Sequence, residues 1–218
     1  AARWGVLAGA TTNPKLLSHE GTSFDLRERV LAIADLVGGP VSVEVLCEAP
    51  DQMLIEARLY ASWHPSIVVK IPMSLSGMKV VNRLEQDGIR TNVTGLVALN
   101  QAVLASLAGA SFVSFFFGRM SDLGADPAPV IQDAAVLLHA QTRTQIIVGS
   151  IRNLMDINRS LLAGADIITV PYAFFKQMAA VHPNFLTPHV SILALGAWSV
   201  ILVLFLGTFE KLFTYVVF

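Results

Sequence analysis

The regular alternation of short β-rich runs with longer amphipathic stretches is the feature that most constrains the fold of this chain. Seven runs rich in β-branched and other apolar residues predict strands: 9–12, 41–46, 66–71, 90–94, 111–117, 144–148 and 166–170. Helical patterns lie between these runs, among them 51–63, 77–87, 100–107, 129–139 and 153–162. Strands and helices that alternate in this way predict βα units and a parallel sheet.

Glycines support these boundaries. Four of them stand shortly before a predicted strand, where a glycine commonly ends a helix: Gly39, Gly88, Gly109 and Gly164. The run Ile146-Ile147-Val148 is apolar throughout, which is typical of a strand covered on both faces.

Two α/β architectures accommodate this alternation. An open doubly wound sheet would accept seven strands, but the glycine-rich dinucleotide fingerprint that such folds often carry is absent. A closed (β/α)8 barrel needs eight strands. The chain begins with Ala1 rather than Met, so the interpretation that we favour is a (β/α)8 TIM barrel that lacks its first strand in this chain. That strand would lie upstream of Ala1.

Composition narrows the class of function. The 15 lysines and arginines nearly balance the 16 aspartates and glutamates, so no charge bias points to nucleic acid as a partner. The single cysteine, Cys47, excludes an internal disulfide framework and fits a reducing compartment. The histidines are scattered without ligand spacing, so neither a metal site nor a cofactor is expected: His19, His64, His139, His182 and His189.

Lys70 carries most of the chemical information. It lies in the apolar run 66–72, and burial there disfavours the ammonium form and favours a free amine that can attack a carbonyl. The alternative is a lysine at a strand end whose head group reaches water along its own aliphatic stem.

Polar residues in neighbouring strands favour the chemical interpretation. Glu44 shares a face of the second predicted strand with Ser42, and Asn92 shares a face of the fourth with Thr94. Side chains at the carboxyl ends of barrel strands face the active site. Because an amine, a carboxylate and a hydroxyl that hold a water are what imine formation requires, we expect a Schiff-base site around Lys70.

An anion site is predicted after the strand at 144–148. The motif Gly149-Ser150-Ile151-Arg152 follows that strand and opens a helix, where many barrels bind phosphate. Amide groups, the Ser150 hydroxyl and the Arg152 guanidinium can all bind a dianion. The alternative role for Arg152 is a surface salt bridge.

Five motifs in order resemble those of the transaldolase family, and most closely its short subfamily that includes fructose-6-phosphate aldolase. They lie at 9–14, 41–45, 67–73, 91–94 and 149–152, and the resemblance extends over residues 5–183. It implies that Lys70 forms the Schiff base and that Glu44 and Thr94 position the catalytic water.

The resemblance also implies the residues that bind the substrate. Asn13 and Asn92 would hydrogen-bond the sugar, Phe116 would form a wall of the pocket, and Arg119 would be a second phosphate ligand. Asn13 can in addition cap a helix that begins at Pro14, and the two roles are compatible.

By this resemblance the chain is a cytoplasmic transaldolase of the pentose phosphate pathway, and a homo-oligomer. It would transfer a dihydroxyacetone unit from a ketose phosphate to an aldose phosphate. The alternative is a fructose-6-phosphate aldolase, whose members tend to carry glutamine and tyrosine where this chain has Glu44 and Phe116. In the family, the first strand carries an aspartate that acts as general acid and base in carbon–carbon bond cleavage. Without that aspartate we expect the chain to form the imine on Lys70 but to turn over poorly.

The end of the chain differs from this pattern, so we predict one domain at 1–183 and a hydrophobic segment at 184–218. Residues 190–209 contain no charged side chain and are long enough to span a bilayer. From Leu186 the segment resembles a fragment of an amino-acid permease. We expect a foreign or fused segment with membrane contact; the alternatives are a terminal helix docked on a barrel and a truncated, inactive membrane fusion.

Overall fold

The computed structural model describes residues 5–13 and 25–179. Seven strands of this part of the chain form one parallel sheet in sequential order: β1 (Ala10–Thr11), β2 (Val41–Glu44), β3 (Ile67–Pro72), β4 (Thr91–Leu96), β5 (Phe112–Phe116), β6 (Gln145–Gly149) and β7 (Ile167–Ile168). The described helices are α1 (Leu26–Val37), α2 (Pro50–Ala61), α3 (Leu75–Gln86), α4 (Leu99–Leu107), α5 (Phe117–Asp122), α6 (Pro127–Gln141), α7 (Leu154–Leu162) and α8 (Tyr172–Met178). The predicted α/β class and parallel sheet are confirmed, and the strand order is consistent with a TIM-like barrel.

The two faces of the sheet are packed differently. The large core cluster joins strand residues such as Val69 and Val93 to residues of the covering helices, such as Leu84. A smaller cluster on the opposite face consists of Val68, Phe112 and Ile147. Because side chains alternate along a strand, Lys70 lies on the same face as Val68, one step closer to the carboxyl end.

The strand register brings the polar residues of this second face together. Glu44 is the register partner of Lys70, and Lys70 is the register partner of Asn92. One step further along, Thr94 is paired with Ser114. The face is therefore apolar near the amino ends of its strands and polar near their carboxyl ends.

The structure corrects two details of the predicted elements. The left-handed residue that ends α1 is Gly38, with φ 66°, and not Gly39. Gly39 instead lies so close to the backbone of Ala8 that a Cβ atom would be 2.1 Å from its carbonyl oxygen. The predicted strand 111–117 ends at Phe116, and the short helix α5 begins at Phe117, whose side chain is fully buried.

The chain divides into two compact units, Ala1–Phe174 and Phe175–Phe218, and the described part of the second is 175–179. Within residues 5–13 and 25–179, no helix is both long enough and apolar enough to cross a membrane. The apolar segment at 190–209 and the predicted helix start at Pro14 both lie outside the described residues.

Candidate active site

A buried ion pair lies at the centre of the polar face. The Lys70 Nζ atom donates to Glu44 Oε2 at 2.8 Å, and the Lys70 side chain is only 7% exposed. Adjacent strands place the two residues side by side, so the contact follows directly from the register of β2 and β3. Burying a charged pair contributes little net stability, which makes a chemical role the better reason for its presence.

Asn92 lies beside this pair in a buried hydrogen-bond chain. The Ser114 hydroxyl donates to Asn92 Oδ1 at 2.7 Å, and Asn92 Nδ2 donates to the Ser42 hydroxyl at 3.1 Å. The Thr12 hydroxyl donates to the backbone carbonyl of Ser42 at 2.9 Å. These contacts fix the orientation of the Asn92 amide next to Lys70 on β3.

Thr94 differs from these neighbours because its hydroxyl has no partner. Its side chain is buried, yet among the described residues Oγ1 is without a hydrogen bond. Thr94 lines the same cavity as Lys70. Since a buried hydroxyl normally finds a partner, this one is suited to bind a water or a substrate oxygen in that cavity.

The cavity at the carboxyl ends of the strands has a volume of about 370 Å³. Six of the predicted site residues line it: Asn13, Lys70, Thr94, Phe116, Arg119 and Ser150. The other three predicted site residues do not line the cavity. Glu44 is bonded to Lys70, Asn92 lies in the buried hydrogen-bond chain, and the Arg152 side chain is bonded to Asp122.

The Phe116 ring forms part of the wall and lies near two cations. Arg119 Cζ is 4.7 Å from the ring centroid, and Lys70 Nζ is 5.9 Å from it. Within the described part of the chain, the Arg119 guanidinium has no carboxylate partner. Cation–π contact with Phe116 thus holds an arginine at the cavity while leaving its N–H groups available to an anion.

Ser150 occupies a strained position opposite Arg119. Its φ of 59° makes it the one non-glycine residue in the left-handed region among residues 5–13 and 25–179. The Gly118 amide donates to the Ser150 carbonyl at 3.0 Å. A Cβ atom on Gly118 would be 2.4 Å from that carbonyl oxygen and 2.6 Å from Arg152 Nε. Only a glycine at position 118 allows the backbone of Ser150 to come this close. A left-handed backbone at a non-glycine residue such as Ser150 is strained, and such strain is characteristic of functional sites.

Arg152 forms a salt bridge in this structure. Its Nη2 atom contacts Asp122 Oδ2 at 2.7 Å, and both side chains are more than half exposed. The following helix α7 begins at Leu154. Asn153 Oδ1 accepts from the Asp156 amide, and the Asp156 carboxylate accepts from the Arg152 amide. These two amides therefore already have acceptors within the protein.

A second carboxylate fixes the loop that follows Glu44. Glu56 Oε2 accepts from the amides of Leu46 and Cys47 at 2.9 and 2.8 Å, and Oε1 accepts from the Tyr60 hydroxyl at 2.6 Å. Burial raises the pKa of Glu56, but the hydrogen bonds from Tyr60, Cys47 and Leu46 outweigh that effect and lower it. Glu56 therefore stays ionised and holds the carboxyl end of β2 in place.

The cavity also contains polar residues that the sequence reasoning did not select: Thr11, Thr12, Ser114 and Thr169. Ser114 had a usable signal, since it is the polar residue in the middle of the apolar strand β5. Thr169 follows the two-residue strand β7 and had no comparable signal.

The fold and the site together define an α/β protein with a buried lysine–carboxylate pair beside a polar cavity. Comparison with known proteins gives the family. The family model described as Transaldolase/Fructose-6-phosphate aldolase matches residues 1–191. This chain belongs to that family.

Individual relatives agree with the family match. A probable transaldolase of Desulforudis audaxviator is 46% identical over 184 residues, which are 84% of each chain. A probable transaldolase of Moorella thermoacetica is 46% identical over 181 residues, or 82% of each chain, and one of Alkaliphilus metalliredigens is 41% identical over 184 residues, or 84% of each chain. These comparisons do not support the permease-like resemblance predicted for the last residues.

One solved structure illustrates the fold. A crystal structure of inosine 5'-monophosphate dehydrogenase from Legionella pneumophila superposes with a TM-score of 0.53 at 16% identity. The match covers 76% of this chain and 58% of the other, and at this identity it supports a shared fold only.

Proposed function

We propose that this chain is a transaldolase that carries a dihydroxyacetone unit on Lys70. The observation that carries the proposal is the buried pair of Lys70 and Glu44, 2.8 Å apart, beside a cavity that also contains the unpartnered Thr94 hydroxyl. Membership of the family supports it. The seven described strands would be part of a closed (β/α)8 barrel whose eighth strand is not among the described residues.

Imine formation needs a free amine and a route for protons. The Glu44 carboxylate accepts the proton that the Lys70 ammonium must lose, and the Nζ lone pair then attacks the ketose carbonyl carbon. The carbonyl oxygen takes up a proton to give a carbinolamine, and it leaves as water when the imine forms. Glu44 and the Thr94 hydroxyl would hold that water.

Cleavage and transfer follow from the protonated imine. As the substrate C4 hydroxyl passes its proton to a base, by the family resemblance the aspartate of the first strand, the C3–C4 bond breaks and its electron pair moves towards the imine nitrogen. This leaves an enamine on Lys70 and releases an aldose phosphate. The enamine carbon then attacks the aldehyde carbon of an acceptor, whose oxygen takes the proton back from that base, and hydrolysis of the new imine frees the product ketose and Lys70. Asn13 and Asn92 would orient the hydroxyl groups of the bound unit.

The phosphate of the substrate would be bound at the far side of the cavity. Arg119 and Ser150 both line the cavity there, and we propose them as direct ligands. Arg152 would join them by exchanging Asp122 for the phosphate, since its guanidinium is engaged by that carboxylate in the present structure. By the family resemblance the reaction is a step of the pentose phosphate pathway.

The fructose-6-phosphate aldolase activity also found in this family is the competing proposal. The Glu44 carboxylate and the hydroxyl-free ring of Phe116 favour transfer, because glutamine and tyrosine at these positions would add hydrogen-bond donors to the site. The test is to supply fructose 6-phosphate with and without erythrose 4-phosphate. We expect sedoheptulose 7-phosphate to form only with the acceptor, with little free dihydroxyacetone.

The matched variant in this assay is the double change Glu44→Gln and Phe116→Tyr. It should raise the ratio of released dihydroxyacetone to transferred product. Dihydroxyacetone released by the wild-type chain at the same rate with and without acceptor would contradict the transaldolase proposal and favour the aldolase.

A further inference from the structure

The edge of the sheet opposite Lys70 contains a second polar cavity, of about 310 Å³. It lies at the amino ends of β4, β5 and β6, so the length of the strands separates it from the catalytic cavity. Its lining includes Arg90, Arg143, Ser111 and Thr144 over a floor that contains Phe112.

The two arginines flank the amino end of β5. Arg90 immediately precedes β4, and Arg143 stands two residues before β6, on the other side of β5 in the sheet. Strands two apart in a sheet are separated by roughly 10 Å. Both arginines are exposed and both line the cavity, so an anion bound in it can contact both guanidinium groups.

These arginines also differ electrostatically from others in the described chain. Arg58, Arg83, Arg152 and Arg159 each lie against a carboxylate. In residues 5–13 and 25–179, the guanidinium groups of Arg90 and Arg143 have no hydrogen bond or ion pair, and the cavity lining contains no acidic residue.

Glu85 does not line the cavity, but it is bonded to Ser111, which does. Glu85 Oε1 accepts from the amide and the hydroxyl of Thr91 at 2.7 and 2.6 Å, and from the amide and the hydroxyl of Ser111 at 2.8 and 2.9 Å. The oxygens of this carboxylate are therefore engaged by Thr91 and Ser111, and neither arginine is paired with it. Thr144 likewise donates to the Ala110 carbonyl at 2.7 Å, which holds the floor of the cavity rigid.

We propose that Arg90 and Arg143 form a binding site for a small phosphate-bearing anion at the amino-terminal edge of the sheet, separate from the Lys70 cavity. Two guanidinium forks suit the oxygens of a phosphate, and each can supply two parallel N–H donors. The cavity has room for a phosphate group with a small organic substituent.

The test is calorimetric titration of the full chain with inorganic phosphate at constant ionic strength set by chloride. The background is Arg119→Ala with Arg152→Ala, which removes the two arginines proposed to bind phosphate at the catalytic cavity. We expect this background to retain one phosphate site. Adding Arg90→Gln or Arg143→Gln should weaken that site at least about tenfold, as loss of a charged hydrogen-bond donor does.

Arg58→Gln is the matched control, because Arg58 is an exposed arginine already paired with Asp87. It should leave phosphate binding unchanged. Trapping of dihydroxyacetone on Lys70 should be equal in all these variants, which shows that the fold is intact. Absence of a phosphate site in the background, full retention of binding in the Arg90 and Arg143 variants, or an equal loss in Arg58→Gln would each overturn the proposal.

Discussion

Buried polar groups at the carboxyl and amino edges of the same sheet differ in how fully their hydrogen bonds are satisfied. At the amino edge, Glu85 accepts from both the backbone and the hydroxyl groups of Thr91 and Ser111, and Thr144 is bound to the Ala110 carbonyl. At the carboxyl edge, the buried Thr94 hydroxyl has no hydrogen-bond partner in the described part of the chain, and Lys70 is buried against Glu44.

This difference separates polar groups that stabilise the fold from polar groups that are available for chemistry. A saturated buried carboxylate joins elements together, and its removal leaves several donors without acceptors. An unsaturated buried hydroxyl adds nothing to stability, so its presence calls for a ligand. Strand β4 contains one threonine of each kind. The Thr91 hydroxyl is bonded to Glu85 and stabilises the fold, whereas the Thr94 hydroxyl is available to a ligand, so substitutions at both positions can test this difference.

The largest effect is expected at Lys70. Lys70→Arg keeps a positive charge beside Glu44 but removes the amine that can form an imine. Turnover of fructose 6-phosphate with erythrose 4-phosphate should fall by at least about 10⁴-fold, as loss of a catalytic nucleophile does. Steady-state kinetics would measure it. Residual turnover within about tenfold of wild type would show that the lysine is not the nucleophile.

Thr94→Val should give the next largest effect, and on activity alone. Removing the hydroxyl that we propose to hold the catalytic water should lower kcat by about 10²- to 10⁴-fold. Stability should hardly change, since no hydrogen bond is lost among the described residues. Thr94→Ser, which keeps the hydroxyl, should restore most of the rate. If Thr94→Val instead lowers the urea concentration at the midpoint of unfolding and leaves kcat unchanged, the Thr94 hydroxyl stabilises the fold and is not catalytic.

Arg119→Ala should affect phosphorylated donors only. Loss of a charged hydrogen bond to the phosphate should raise KM for fructose 6-phosphate by an amount equivalent to about 1.5–3 kcal/mol. Dihydroxyacetone, which has no phosphate, should still be trapped on Lys70. Arg152→Ala should have a smaller effect, because Asp122 already competes for that guanidinium. Equal losses with both ligands would indicate damage to the fold and not loss of a phosphate ligand.

Thr91→Val should produce the smallest effect, and on stability alone. It removes one hydrogen bond to Glu85, so the free energy of unfolding should fall by about 1 kcal/mol. Denaturant unfolding followed by circular dichroism would measure the change. The kcat of the variant should equal that of wild type. A fall in kcat as large as that of Thr94→Val would mean that the two edges of the sheet do not divide their roles.

Much of this organisation could be predicted from the sequence. The βα alternation predicted the parallel sheet, and the polar residues inside apolar strands predicted which side chains share a face. Once strands are adjacent and in register, residues such as Glu44 and Lys70 meet because side-chain alternation fixes their direction.

Other features depend on contacts that local sequence does not encode. The Asp122–Arg152 salt bridge joins residues 30 positions apart, and it decides where the Arg152 side chain lies. The switch from β5 to α5 after Phe116 occurs within an aromatic run that by itself favours a strand. Gly38, and not its neighbour Gly39, ends α1, because the close approach of Ala8 also requires a glycine at 39.

The central claim, that Lys70 is the covalent carrier, can be tested by one measurement. The full chain is incubated with dihydroxyacetone, reduced with borohydride, digested and mapped by mass spectrometry, with Lys70→Arg as the control. We predict a three-carbon adduct on the peptide that contains Lys70, none on the peptides that contain the exposed Lys79 and Lys176, and none in the control. An adduct on a different lysine, or a chain that stays unlabelled, would contradict the account.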